Sequence, residues 1–393
     1  MSTMPLLADV SELVASPMRT GIQRVVRAML RHWPGPRPLL PCRFDAAAGG
    51  LVPLSPRVVD LLMEATPELR ALPAEALKQR VADAAGAGPQ APLDPGRYGR
   101  ILVPELFFDP ARCHFYRTLL QQDPGRAGFV VYDFIPWLRP ELMGVDRTQH
   151  LMPYLGVLMT ARHLGFISGA TRDAFVHRIL RREVAEGVVL PLGADGLLGE
   201  DRTGGGVPRQ CFRSDRRLFV AVGSIDGRKN QDLMADCFAA LRAAGVPARL
   251  AVVGGAFRNG RAQAQAAALA AASVADAEGI RHVPQATDAE IGALLGEARA
   301  TLYLSEAEGY GLPPVEGLAL GIPAIIGGEV PSVTELPPGG RLELPALTPA
   351  ALGEAIRHLM NDAVAEALWA EAATLDLPTW RGFAAAMASW IQD

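Results

Sequence analysis

Lysine is nearly missing from this chain. There are two, Lys78 and Lys229, against 36 arginines. With abundant Ala, this reads as the Arg drift of a GC-rich genome, so a lysine that persists marks a position where a compact ammonium differs usefully from a planar guanidinium. Cysteine is also scarce. Cys42, Cys113, Cys211 and Cys237 form no CxxC pair and no metal-ligand spacing, which argues against structural zinc and suits a reducing compartment. No uncharged apolar run reaches the length of a membrane span. The opening MSTMPLLADVSELV lacks the basic and then apolar regions of a secretory leader, so a cytoplasmic location is expected. No GxGxxG stands between a strand and a helix, which disfavours a dinucleotide dehydrogenase.

What is present suits an enzyme of two domains: 393 residues, 49% hydrophobic and 20% charged, exceed one comfortable core. A net charge of −4 gives no argument for nucleic acid as a partner. The charge is uneven, +3 over residues 1–195 and −7 over 196–393. Arg19, Arg24, Arg27, Arg31, Arg37 and Arg43 face three acids in the first fifty residues. They read either as a solvated face or as a basic patch for an acidic acceptor or an anionic membrane surface.

Strand and helix patterns alternate along the chain, predicting an α/β fold with largely parallel sheets. In the first half, strands are expected at 6–10, 100–103, 128–132, 164–168 and 188–192. An amphipathic helix is expected over 21–33, and one opening at Thr171 with a cap in 170–173. Residues 45–98 predict short helices and loops. The glycine-rich stretch 196–216 reads as a linker. The second half repeats the rhythm, with strands at 218–222, 249–253 and 280–283 and helices at 232–244, 261–278, 288–297 and 349–360. The expected division is 1–198, linker 199–216, 217–375, and a terminal helix in 376–393 packing back on the first domain.

Two loops carry chemistry. After the strand ending at Val222 come Gly223-Ser224-Ile225-Asp226-Gly227-Arg228-Lys229-Asn230 and a helix. The carboxyl end of a parallel strand is where such folds bind ligands. Two adjacent cations at a helix start oppose its dipole unless an anion joins them, so Arg228 and Lys229 suit a diphosphate. The second loop reads Glu308-Gly309-Tyr310-Gly311-Leu312-Pro313-Pro314-Val315-Glu316, between a strand and a short helix. Pro313 and Pro314 suit the first helical turn, and the turn's free N–H groups favour an anion. Carboxylates on each side suit the hydroxyls of a sugar. Alternatively, Glu316 near the third helical position would cap its own helix. Val252-Val253-Gly254 is another strand ending in glycine, open to close approach by a ligand.

These stretches, with 287–291 and Pro331 to Glu335, follow one order across residues 218–336 that resembles glycosyltransferase family 4, retaining nucleotide-sugar transferases of GT-B fold. Weaker similarities lie at Arg19 to Val25, Tyr132 to Pro136, Ser168 to Arg172 and Pro191 to Asp195. The resemblance implies two Rossmann-like domains facing across a cleft, with acceptor binding in the first and donor binding in the second. It implies that Arg228 and Lys229 hold the donor diphosphate, that Glu316 accepts ribose hydroxyls, and that Glu308 binds the sugar. The N–H groups of Gly309, Tyr310, Gly311 and Leu312 would face sugar and phosphates, and Gly223 and Gly254 would line the donor. Val283 would offer backbone to the base, and Gly21 would let the first domain approach the diphosphate. No metal is expected, in keeping with the missing DxD motif. Many members carry His where Tyr132 stands, beside Asp133, and both residues are candidates for donor or acceptor contact, as Arg24 is on the acceptor side. The expected activity is transfer of a hexose, a mannose type being the guess, from a nucleotide diphosphate sugar (GDP-mannose or a UDP-sugar) to a saccharide or lipid-linked saccharide in bacterial surface polysaccharide synthesis. Peripheral contact with the inner membrane is part of that expectation. The alternatives are a sugar-nucleotide epimerase or hydrolase on the same fold, and a non-catalytic relative that binds the nucleotide sugar.

Overall fold

The computed structural model describes residues 4–18, 21–86, 91–143, 145–181, 187–198, 206–256 and 260–392. The chain divides into two compact units, Met1–Gly193 with Thr379–Asp393, and Ala194–Pro378.

In the first unit the strands are β1 (Leu6–Asp9), β2 (Leu39–Asp45), β3 (Gly50–Pro53), β4 (Ile101–Val103), β5 (Ala127–Val131), β6 (His163–Phe166) and β7 (Gly187–Val189). They form one sheet in the order β3-β2-β1-β4-β5-β6-β7, parallel except for β3 against β2. Strands β1, β4, β5 and β6 are buried along their whole length, the near-continuous apolar runs of a sheet covered on both faces. The hairpin β2–β3 was not expected. Pro41 inside β2 masks the strand pattern, yet parallel pairing sets it opposite Ala8, and the segment holds. Residues 56–85 form three short helices, as expected. The helix expected at Thr171 starts earlier, at Gly169, because the Ser168 hydroxyl caps it by accepting from the Thr171 N–H at 3.0 Å. The last helix, Trp380–Gln392, packs on helix Gly21–His32 and on β6.

The second unit is built on β8 (Leu218–Val222), β9 (Arg249–Val253), β10 (Ile280–Val283), β11 (Ala298–Ser305), β12 (Ala324–Gly328) and β13 (Arg341–Glu343). The order is β10-β9-β8-β11-β12-β13, all parallel. This is a doubly wound sheet whose direction of winding reverses between β8 and β11, and ligands of such sheets bind outside the carboxyl ends at that point. Residues 207–216, expected as linker, are tied to this unit: the Val207 N–H donates to the Leu197 carbonyl and the Gln210 N–H to the Leu320 carbonyl. The Arg216 guanidinium also lies 5.0 Å from the Trp369 ring. Residues 199–205 of that stretch lie outside the described residues. The sequence pattern missed β13 and helix Asp362–Thr374, the second too rich in Ala to show a clear apolar stripe.

Candidate active site

The loops after β8 and β11 meet at the reversal point of the second sheet. Their backbones are joined directly, the Glu306 N–H donating to the Arg228 carbonyl at 2.9 Å. Asn230 adds a second tie. It opens helix Gln231–Ala243 in the left-handed region, φ 52°, a conformation Asn tolerates well. Its side-chain amide donates to the carbonyls of Arg228 and Leu304. The loop after β8 is joined to β9 by Gly223 N–H to Val253 O and by Ile225 N–H to Gly255 O, both 2.9 Å. Gly254 has to be glycine: its φ is 144°, and a Cβ there would lie 2.2 Å from the Gly223 carbonyl oxygen.

The two adjacent cations do different work. Arg228 faces inward. Its guanidinium lies 2.8 Å from Glu308 and 3.1 Å from Asp226 and donates to the Ala307 carbonyl, with side-chain exposures of 14%, 10% and 13% for Arg228, Glu308 and Asp226. Glu308 also accepts from the Tyr303 hydroxyl at 2.8 Å and from the Ser305 hydroxyl at 3.0 Å. Burial alone would raise the Glu308 carboxyl, but the charges of Lys229 and Arg228 outweigh it and hold the carboxyl below its usual range. Lys229 is half-buried, and its ammonium has neither a hydrogen bond nor an ion pair among the described residues. It stands over the Gly223 position and 5.7 Å from the centre of the Tyr303 ring. Of the two cations expected to hold a diphosphate, Arg228 is engaged by carboxylates of the protein, and Lys229 has no such pairing among the described residues. Arg228 positions Glu308, and Glu308 meets three donors of the protein itself instead of standing open.

Gly311 also borders the Tyr303 ring, which a Cβ there would touch at 3.5 Å. Gly311, φ 92°, precedes helix Leu312–Ala319 and, as a glycine, offers that helix no side-chain cap. Pro313 and Pro314 remove two of the N–H groups that a helix start leaves unpaired, so Gly311 and Leu312 supply the amides left for an anion. The Ser332 hydroxyl and amide fix the turn by donating to the carbonyls of Gly311 and Tyr310. Glu316 is buried, 4% exposed, and stands fifth in the helix. That is two positions past the third helical position expected for a capping Glu, which Pro314 occupies. At the end of β10, the Val283 carbonyl accepts the Gly254 N–H at 2.9 Å. Sequence reasoning gave no role to Asp226, Tyr303, Ser305 or Ser332. Their hydroxyls and carboxylate appear in the sequence only as strand and turn residues.

In the first unit the expected residues are less concentrated. Tyr132 is buried, and its hydroxyl donates to the Pro104 carbonyl at 2.6 Å, so the hydrogen expected for a sugar contact is already engaged. The Asp133 carboxylate accepts the Ile135 N–H at 3.0 Å at the start of helix Ile135–Leu138. Gly21 opens its helix, and a Cβ added there would meet no atom within 4 Å. Arg27 leaves the basic patch. It is buried, donates to the carbonyls of Leu62, Met18 and Pro17, and pairs with Glu64 at 3.3 Å. Arg43 pairs with Asp45 at 2.9 Å. Arg24, on the same helix as Arg27, is half-buried. At the ends of β1 and β4, three carboxylates converge on one guanidinium: Arg112 reaches Asp9 at 2.9 Å, Glu12 at 3.1 Å and Glu105 at 3.4 Å. Burial pushes Glu105 up to about 8, with Arg112 opposing and Asp9 adding to the rise.

Two parallel α/β units of this kind make up the GT-B fold, and similar solved structures cover the whole chain. A sucrose-phosphate synthase from Thermosynechococcus elongatus is 17% identical with a TM-score of 0.62, covering 98% of each chain. A trehalose 6-phosphate synthase from Burkholderia multivorans is 16% identical with a TM-score of 0.57, covering 100% of this chain and 98% of its own. The HepE protein of Anabaena, in complex with UDP and glucose, is 14% identical with a TM-score of 0.56, covering 99% and 96%. At these identities the likeness is one of fold. In sequence, residues 208–375 match the family model of Glycosyl transferases group 1, which takes in both loops of the candidate site. No curated protein sequence matches the chain. Among the described residues, no helix is long and apolar enough to cross a membrane.

Proposed function

We propose that the chain is a retaining, metal-independent glycosyltransferase that moves a hexose from a nucleotide diphosphate sugar to a saccharide or lipid-linked saccharide. The observation that carries this reading is the Lys229 ammonium, without a hydrogen bond or ion pair among the described residues, at the glycine end of β8 and beside the Tyr303 ring, which the Gly311 helix start also borders. Both features favour an anion, and together they suit a diphosphate. Charge developing on the leaving diphosphate is stabilised by Lys229 and by the amides of Gly311 and Leu312, which require no rearrangement as it forms. Glu308, held ionised by Arg228 and Lys229, and Glu316 accept hydroxyls of the donor. In the proposed same-face displacement, the bond from the anomeric carbon to phosphate oxygen breaks as the acceptor oxygen bonds to that carbon. The acceptor proton passes to the departing phosphate oxygen, so no protein base is assigned.

The UDP and glucose bound by the similar Anabaena protein support a UDP-hexose ahead of GDP-mannose as donor. A surface-polysaccharide acceptor, reached at the inner face of the membrane, completes the proposal. The test is incubation of the full chain with UDP- and GDP-hexoses and a panel of saccharide acceptors, with the anomeric coupling of the product read by proton NMR. A glycoside of unchanged anomeric configuration supports the reading. Donor hydrolysis or epimerisation without acceptor would replace it with the epimerase or hydrolase alternative. Binding without turnover would leave a nucleotide-sugar-binding relative.

A further inference from the structure

Three adjacent parallel strands of the first unit are each preceded by an arginine: Arg100 before β4, Arg126 before β5 and Arg162 before β6. All three line one cavity of about 680 Å³, together with His163 and Trp390. It opens at the amino ends of the strands, the edge of the sheet opposite to the one where ligands of such folds ordinarily bind. One acid, Asp123, shares the lining, and its carboxylate accepts the Gly125 N–H at 3.0 Å. The lining charge is therefore clearly positive.

Two of the guanidinium groups are fixed by backbone. Arg100 donates to the carbonyls of Gly125 and Ile391, both at 3.1 Å, and Arg126 donates to the Tyr98 carbonyl at 3.2 Å. The other N–H groups of Arg126 have no partner among the described residues. The Trp390 indole lies over Gly128 and Gly165, where a Cβ would come within 3.0 Å and 3.2 Å of the ring. Its Nε1–H is buried and has no partner among the described residues, so it is the ring, not this donor, that the indole offers to the cavity. Fixed guanidinium forks recognise phosphate oxygens, and the volume is that of a small-molecule pocket, roomier than a lone phosphate needs.

We propose that this cavity binds a small phosphate monoester, its phosphate held by the arginines and its polar body set against the Trp390 indole. The site is independent of the function proposed above.

The test is calorimetric titration of the full chain with glucose 6-phosphate, inorganic phosphate and glucose at low salt, in the wild type and in four variants. The ester is expected to bind with a dissociation constant below about 1 mM, and Arg126→Ala and Arg162→Ala are each expected to weaken it by about tenfold. Arg126→Lys, which keeps the charge and disturbs the fold least, is expected to weaken it by less. Lys229→Ala is expected to leave ester binding unchanged, which separates this cavity from the donor site. No heat with the ester, or binding that survives both arginine-to-alanine changes, would overturn the proposal. So would loss of ester binding in Lys229→Ala. Inorganic phosphate binding as tightly as the ester would overturn the assignment to an esterified ligand.

Discussion

Removing Arg228 and removing Lys229 should do opposite things, although the two residues are neighbours with the same charge. Arg228→Ala deletes the guanidinium that lies 2.8 Å from Glu308 and 3.1 Å from Asp226, leaving two nearly buried carboxylates with less compensation. Breaking a buried pair from one side costs about 3–5 kcal/mol, and here Tyr303, Ser305 and Lys229 retain part of the support, so about 2–4 kcal/mol is expected. For a unit of this size that lowers the midpoint of thermal unfolding by about 5–15 °C. Lys229→Ala removes a cation with no hydrogen bond or ion pair among the described residues but one whose charge supports Glu308, so stability should fall by about 1 kcal/mol, less than in Arg228→Ala. Donor affinity should instead fall by about tenfold to a hundredfold, the worth of one charge-assisted contact to phosphate. Differential scanning calorimetry measures the first quantity and calorimetric titration with UDP the second. A Lys229→Ala protein as unstable as Arg228→Ala, or one that binds UDP as the wild type does, would refute this division of labour.

Backbone geometry separates two glycines. Gly254→Ala, with its Cβ driven toward the Gly223 carbonyl, should cost about 2 kcal/mol or more, while Gly21→Ala, into open space, should leave the urea midpoint nearly unchanged. Tyr132→Phe removes the hydrogen bond to the Pro104 carbonyl, so about 1–3 kcal/mol of stability should be lost, with transfer by the folded protein changed less than about threefold. The pH dependence of the first unit should carry the mark of Glu105. Its carboxyl is raised from 4.5 to about 8 in the fold, so between those values the folded protein keeps a proton that the unfolded chain releases. That contribution is full below pH 4.5, declines as pH rises toward about 8, and is flat above. Urea titrations at several pH values should show this slope in the wild type and its loss in Glu105→Gln; an identical slope in the variant would contradict the assignment.

The second unit was the more legible half. Strands β8, β9 and β12 read as apolar runs, and the turns after Val222 and Ser305 are marked by glycines and prolines that have few other uses. Pairing partners were not legible, because they depend on contacts distant in sequence. Nothing in Arg228-Lys229 says that one side chain turns inward, since its partners Glu308 and the Ala307 carbonyl lie on the loop after another strand. The Asn230 tie to Leu304 is hidden for the same reason. In the first unit, Pro41 obscured β2 and a run of arginines suggested a surface patch. Arg27 belongs to the interior because its helix brings it against the Pro17 and Leu62 carbonyls, a tertiary placement with no signature in spacing.

The placement of the diphosphate is tested most directly by a crystal structure of the full chain soaked with a UDP-hexose. Phosphate oxygens are expected within hydrogen-bonding distance of the Lys229 ammonium and of the Gly311 and Leu312 amides, with Glu308 still paired to Arg228. A nucleotide bound elsewhere, or one bound with Lys229 turned away from its phosphates, would contradict it.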